Sequence, residues 1–379
     1  MSAASTTLCL PAELWDRVID CLHDNKDALM RTSLVCKAWT PSSHFHLFHT
    51  MRFHEVPSAL QFIATVPHLV ASVRSFNLSS TAPSIVLDLC AVLDAMPNLT
   101  RLRITSCCPS GLPPSCYRAR PIRRLQFANC PGLSDELFDI LGLFTSIEHL
   151  HFYMAGGPVS SQTLPMLCRP VIRKLSASRT SLDRIHDVIC RTSAVGNMET
   201  LSLDQGVGTW YEVNQVAEVL DTLRSTLLHL ELAPDIAKYL SQTPGLLWKT
   251  MNLSQCESLE SLNLSSYSYA NIRVTLQVYL AAVQAAPPSL RTIYIHLHSL
   301  PPRWRWYDKN DVSATPLSAS WDDLDTMLLT HIPRELTVTV HLRGKSASVE
   351  LLKTFIAGRL PGAVKQGRLL VVETVLPGE

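Results

Sequence analysis

Between residues 73 and 295 the chain repeats one short pattern, an apolar residue followed three and five positions later by two more. The triplets are Val73-Phe76-Leu78, Leu99-Leu102-Ile104, Ile122-Leu125-Phe127, Ile147-Leu150-Phe152 and Ile172-Leu175-Ala177. They continue as Met198-Leu201-Leu203, Leu227-Leu230-Leu232, Leu259-Leu262-Leu264 and Leu290-Ile293-Ile295. The last two residues of each triplet are two apart, the period of a strand that buries one face. Polar residues stand between them, as with Arg101 and Arg103, Arg124 and Gln126, or His149 and His151, so the other face meets water. Between the strands lie helical stripes. These are Ile85-Leu89-Val92-Leu93-Met96, Leu137-Ile140-Leu141-Phe144 after Ser134, Ile185-Val188-Ile189 after Ser181, and Val216-Val219-Leu220-Leu223 after Asn214. Strand, crossover helix and strand in iteration predict an α/β chain with a curved parallel sheet and outer helices. A doubly wound sheet would need near-continuous apolar strands covered on both faces, which the polar alternation disfavours. Residues 335–340 and 369–375, around a helix near 349–356, are expected to continue or cap the array.

The central residues of successive triplets are 26, 23, 25, 25, 26, 29, 32 and 31 apart. With its L-x-x-L-x-L core, this spacing resembles the leucine-rich repeat, whose period is about 20 to 29 residues. The later steps overshoot that period and predict longer crossovers. The Asn that follows the strand in that family is mostly missing. Cys107, Asn129 and Cys130 echo it, Ser79 and Ser265 more weakly, so the resemblance implies an irregular solenoid.

Before the repeats, LPAELWDRVIDCLHDNKDALMRTSLVCKAW (residues 10–39) carries a different pattern. Pro11 stands where a helix begins, since its missing N–H falls on a donor that would be orphaned anyway. Leu14, Val18 and Cys21 share one stripe of that helix, and Trp15, Ile19 and Leu22 an adjoining one. Asp24 and Asn25 offer caps to a second helix carrying Leu29, Leu34 and Val35. A third short segment, Cys36 to Trp39, is expected to end before Pro41. Three helices this short bury little of their own surface and need a partner, or else serve as a helical cap on the next domain.

This stretch resembles an F-box of the fungal type, both in its order and in the continuation SSHFHLFHTMRF. The residues that carry the resemblance are Leu10, Pro11, Glu13, Leu14, Ile19, Leu22, Leu29, Leu34, Val35, Cys36, Lys37 and Trp39. The His23-to-Lys26 linker is slightly longer than the commonest form. The resemblance implies an F-box over residues 1–50 (core 10–39), a repeat domain with a C-terminal cap over 51–379, and docking on a Skp-type adaptor bound to a cullin. The repeats would then select a protein substrate for ubiquitination, with no bond chemistry by this chain. A scaffold acting outside any ligase is the alternative of another class. Leu10, Pro11, Leu14, Ile19 and Trp39 are expected to stand partly exposed in the isolated chain.

Composition changes this picture little. The 46% apolar and 17% charged residues are those of a folded chain, and a net charge of +1 gives no general affinity for nucleic acid or membrane. The start MSAASTTLCL lacks a basic, apolar signal pattern, and no run reaches about 18 apolar residues. Eleven irregularly spaced cysteines then point to a reducing compartment, cytoplasmic or nuclear, with most thiols buried. Cys107, Cys108 and Cys116 lack metal-finger spacing, the His44, His46, His49, His54 group reads as an amphipathic surface, and His296 with His298, on one strand face that would permit metal binding, as a polar sheet surface. No nucleotide loop or nucleophile elbow occurs, so neither cofactor nor metal is expected. For substrate capture the candidates are a basic stripe with Arg101, Arg103, Arg124, His149 and His151, and an aromatic loop with Trp304, Trp306 and Tyr307. Lys174 and Ser176 extend the stripe. The Arg118 to Arg124 cluster is either an anion site or a solvated loop.

Overall fold

The computed structural model describes residues 11–79, 86–106, 119–130, 136–155, 170–191, 196–207, 209–234, 244–266, 272–297, 321–330, 336–344 and 346–375. Twelve strands occur among them. They are β1 (Thr50–Phe53), β2 (Ser75–Ser79), β3 (Arg101–Thr105), β4 (Arg120–Ala128), β5 (Phe144–Tyr153), β6 (Val171–Ser178), β7 (Thr200–Val207), β8 (His229–Pro234), β9 (Ser261–Ser266), β10 (Thr292–Leu297), β11 (Thr337–Gly344) and β12 (Leu369–Val375). The strands hydrogen-bond in the order in which the chain makes them. The last two residues of each of the nine expected triplets fall in a strand, β2 to β10, and the C-terminal pair brackets a helix, Ser346–Arg359, as expected. This is an α/β repeat architecture of leucine-rich-repeat type. The chain forms two compact units, Met1–Ser146 with Leu164–Cys168, and Ile147–Thr163 with Arg169–Glu379.

In the first unit three helices, α1 (Ala12–Asp20), α2 (Lys26–Ser33) and α3 (Thr40–Phe48), precede β1. Asn25 caps α2 as expected, accepting from the Ala28 N–H at 3.0 Å. The third helix is not where the sequence put it. Pro41 stands in its first turn, where a fixed φ and a missing N–H favour a start, and Cys36 to Trp39 form turns. Strands β1 to β4 then pair in parallel, and their central residues form a column, Met51, Phe76, Leu102 and Leu125. A second column, Leu78, Ile104 and Phe127, lies two residues on, and both columns are buried from β2 onward. The helix Val86–Ala95 covers this layer with Leu89, Val92 and Leu93, followed by Met96, all fully buried. Phe144, expected on the next helix, instead begins β5, because Glu136–Leu141 ends before Gly142.

In the second unit the columns are longer. Leu175, Leu201, Leu230, Leu262, Ile293, Val338 and Leu369 follow one another in register from β6 to β12. One irregularity interrupts the pairing of β7 with β8, between Leu203 and Gly206. The crossover helix Trp210–Leu223 is closed by a capping box, Thr209 with Glu212, so Asn214 lies inside the helix and is not its cap. Trp248 is fully buried and donates its indole N–H to the Val278 carbonyl at 2.6 Å, while the Tyr279 hydroxyl donates to the Ser265 carbonyl at 2.8 Å. Each of these aromatics fills a helix layer and satisfies its own polar atom.

Four strands leave the sheet through the same left-handed turn. Ser106, Asn129, Met154 and Arg179 each stand four residues past a central leucine, with φ of 56°, 52°, 50° and 53°. One residue later comes the position at which the leucine-rich repeat, which the sequence resembles, carries Asn. Here the Cys130 thiol lies 3.7 Å from the Ile104 carbonyl and 3.3 Å from that of Ala128. At the corresponding place Thr180 accepts from the Ala155 N–H at 3.3 Å and donates to the Ser178 carbonyl at 3.1 Å. A thiol and a hydroxyl thus bond the backbone where an amide would. Cys107 lies outside the described residues. Thr180→Val keeps the shape and removes both bonds. We expect it to destabilise the chain by about 1–3 kcal/mol, read as a lower urea midpoint, with Thr180→Ser recovering most of the loss.

Candidate partner-binding surfaces

Polar and apolar contacts together tie the N-terminal helices. The Thr32 hydroxyl donates to the Leu29 carbonyl at 2.9 Å and meets the buried Ser43 hydroxyl at 3.1 Å. His46 lies 2.7 Å from the Asp20 carboxylate, and Ser42 donates to Asp16. Trp15 and Trp39 pack with ring centroids 4.6 Å apart. Of the apolar residues expected to contact an adaptor, Ile19 and Leu29 are fully buried. They hold the helices together, which corrects the expectation that Ile19 stands partly exposed. Leu22 and Trp39 are half-buried; Pro11, Glu13, Cys36 and Lys37 are exposed; Leu10 lies outside the described residues.

What remains is an apolar surface on a unit that has a core. Leu14 is 42% exposed, Leu34 86% and Val35 61%. Val18 and Met30 are exposed as well and were absent from the adaptor-facing set. Val18 had a signal in the sequence, since it lies one turn from Leu14. Met30, beside the buried Leu29, had none. Leu34 and Val35 project because α2 ends at Ser33.

The second candidate surface in the first unit is the open face of β1 to β4. Arg101 pairs in register with Arg124, and Arg103 with Gln126 on one side and Asn77 on the other. Arg52 stands opposite Asn77. His49, which enters β1, has its pKa lowered by burial and then by the charges of Arg101, His46 and Arg74. In the second unit the His149 ring lies 2.8 Å from the Ser176 hydroxyl and stacks on His151 at 5.9 Å. Lys174 pairs with Thr200. Carboxylates accompany these groups. Glu231 accepts from Ser202 at 2.7 Å, Asp204 from Ser178 at 3.4 Å, and Glu199 pairs with Arg173 at 2.8 Å. The stripe expected to run basic through both sets of residues is therefore mixed in the second unit and free of acids on the four strands of the first.

Among the described residues no group of three ligating side chains stands close enough to hold a metal. His44, His46 and His49 instead contact aromatic rings, His44 with Phe48 and the other two with Phe45. His296 stacks on His341 at 4.8 Å, with Tyr294 5.7 Å from His341, whose pKa burial lowers. His298, Cys108, Cys116, Arg118, Ser134, Trp304, Trp306 and Tyr307 lie outside the described residues. Cys90, Cys130 and Cys256 are buried, and burial pushes the Cys256 thiol up to about 11. Cys21 and Cys36 are exposed. No helix among the described residues is long and apolar enough to cross a membrane.

No family model matches the chain, and no curated protein does. Among solved structures, the chain is similar to a leucine-rich-repeat-containing protein, LegL7 from Legionella pneumophila, at 14% identity and a TM-score of 0.41. The match covers 87% of this chain and 92% of that one. Strand order and register define the architecture here; the likeness at that score adds nothing to them.

Because Arg101 lowers the His49 pKa, Arg101→Gln should move it back up toward the ordinary histidine value, read from the imidazole resonances in an NMR titration. The sign for stability follows from the same shift. Below the unfolded histidine pKa of about 6.5 the unfolded chain binds more protons at this site, so stability falls as pH drops toward the folded value. Arg101→Gln narrows that window.

Proposed function

We propose that this protein is the substrate-receptor subunit of a cullin-type ubiquitin ligase. Residues 1–50 would dock on a Skp-type adaptor, and residues 51–379 would hold a protein substrate. One observation carries this assignment. The positions at which the N-terminal stretch resembles an F-box include Leu14, Leu34 and Val35, apolar residues that the folded chain leaves in water. A helix cap on a repeat domain has its apolar side chains covered. These await a partner with an apolar surface of its own. Buried Ile19 and Leu29 then act by fixing the helices that display them.

In such a complex the protein makes and breaks no bond. Its contribution is proximity, holding a substrate lysine beside a ubiquitin thioester carried by another subunit. A parallel sheet with one polar face suits that task, since its side chains stand at fixed spacings on a rigid backbone. A scaffold role outside any ligase, using the adaptor or not, shares the repeat-surface half of this proposal and is separated from it by the cullin.

Leu14→Asp and Leu34→Asp place a charge in the proposed contact without touching the core. Each is expected to weaken capture of a recombinant Skp-type adaptor at least about a hundredfold in calorimetry, with an unchanged thermal transition. Full affinity in both variants would refute the docking assignment. Adaptor binding without recovery of a cullin would leave the scaffold role.

A further inference from the structure

On the open face of β1 to β4 the sequence places four arginines, Arg52, Arg101, Arg103 and Arg124, and no Asp or Glu. Their arrangement is set by the sheet. Arg101 and Arg124 stand on neighbouring strands, about 4.8 Å apart at the backbone, and Arg101 and Arg103 on one strand, about 6.6 Å apart. Arg52 lies two strands from Arg103, across Asn77. Arg101 and Arg103 are exposed, and among the described residues neither they nor Arg52 form an ion pair. The protein as a whole is nearly neutral, so this excess is local.

We propose that this face binds an extended acidic segment of a partner protein, its carboxylate or phosphate groups gripped by Arg52, Arg101, Arg103 and Arg124. As the substrate class of the repeat surface, it rests on the receptor assignment only for the partner's role. Three features select this occupant. Alternate side chains of an extended peptide repeat at about the Arg101-to-Arg103 spacing, so two acids two residues apart match two guanidinium groups on one strand. Guanidinium groups grip carboxylates and phosphates bidentately, and Asn77 and Gln126 between them can bond a peptide backbone. Nucleic acid is disfavoured because no aromatic residue stands on these open-face positions to stack a base, and a membrane because no exposed apolar side chain does. The His49 pKa is lowered by burial first and then by the charge of Arg101, which places a positive charge beside this face.

The test uses the full chain and a labelled peptide of alternating glutamate and serine, with phosphorylated and uncharged versions. Fluorescence anisotropy should show the acidic peptides binding, the uncharged one not, and affinity falling as salt is raised through the range where the Debye length shrinks below about 8 Å. The triple variant R52Q/R101Q/R103Q should bind at least about tenfold more weakly and with a flatter salt dependence. If that variant fails to fold by circular dichroism, Arg103→Gln alone should still give a measurable part of the loss. No salt-sensitive binding of the acidic peptides, unchanged binding by the variants, or tighter binding of single-stranded oligonucleotide or anionic vesicles would each overturn the proposal. Adaptor capture by the same preparations separates the two claims. An unsubstituted chain that captures the adaptor but binds no acidic peptide defeats the acidic-segment site alone, and one that binds the peptide but not the adaptor defeats the receptor assignment alone.

Discussion

Parallel strands cannot be joined by a tight turn, and much of this molecule follows from that constraint. Each connection must carry the chain back to the starting end of the sheet, which takes a crossover of a dozen residues or more. The crossover lengths vary here, with steps from 23 to 32 residues between central positions. The register does not vary with them. Leu175, Leu201, Leu230, Leu262 and Ile293 stand level although the loops and helices between them differ. The apolar columns settle this, because a slip of one residue would turn every buried side chain into water.

The same columns explain what the sequence revealed. A residue buried at period two leaves a plain mark, so the nine triplets located nine strands, and the central residues pair as aligned from β2 to β4 and from β6 to β10. β1 left no such mark, as Thr50 to Phe53 is too short for a triplet and its burial pattern is weak. Helix ends were less legible. Pro41 disfavours helix before it and favours helix from it, and the chain takes the second option. Thr209 with Glu212 is a capping signature that the apolar stripe starting at Val216 obscured. The role of Thr180 was hidden differently. A hydroxyl, and not an amide, bonds the backbone of Ala155 and Ser178 there, a role visible only once the turn geometry is known.

On the surfaces, motif order marked positions but not their exposure. Ile19 and Leu14 belong to one pattern and one helix, yet one is buried and the other faces water. Which side of α1 meets α2 and α3 is decided by packing among three elements, and periodicity within a single helix cannot report it. Charge was legible as composition along each strand. Its balance was not, since which side chains Glu231 and Asp204 meet depends on the register with the neighbouring strand, where they accept from Ser202 and Ser178.

An open face with one residue per strand at each level works as a grid, and a grid is useful to a binding partner only while its rows stay aligned. Within the second unit the row holding Ser176, Ser202, Glu231, Asn263, Tyr294 and Thr339 runs unbroken from β6 to β11. The next row does not. Asp204 is level with Ser178 on β6, but the register shift after Leu203 leaves it with no counterpart on β8. A ligand crossing the strands along the first row meets an even pitch. One crossing along the second encounters a dislocation at β7, and must either end there or bend.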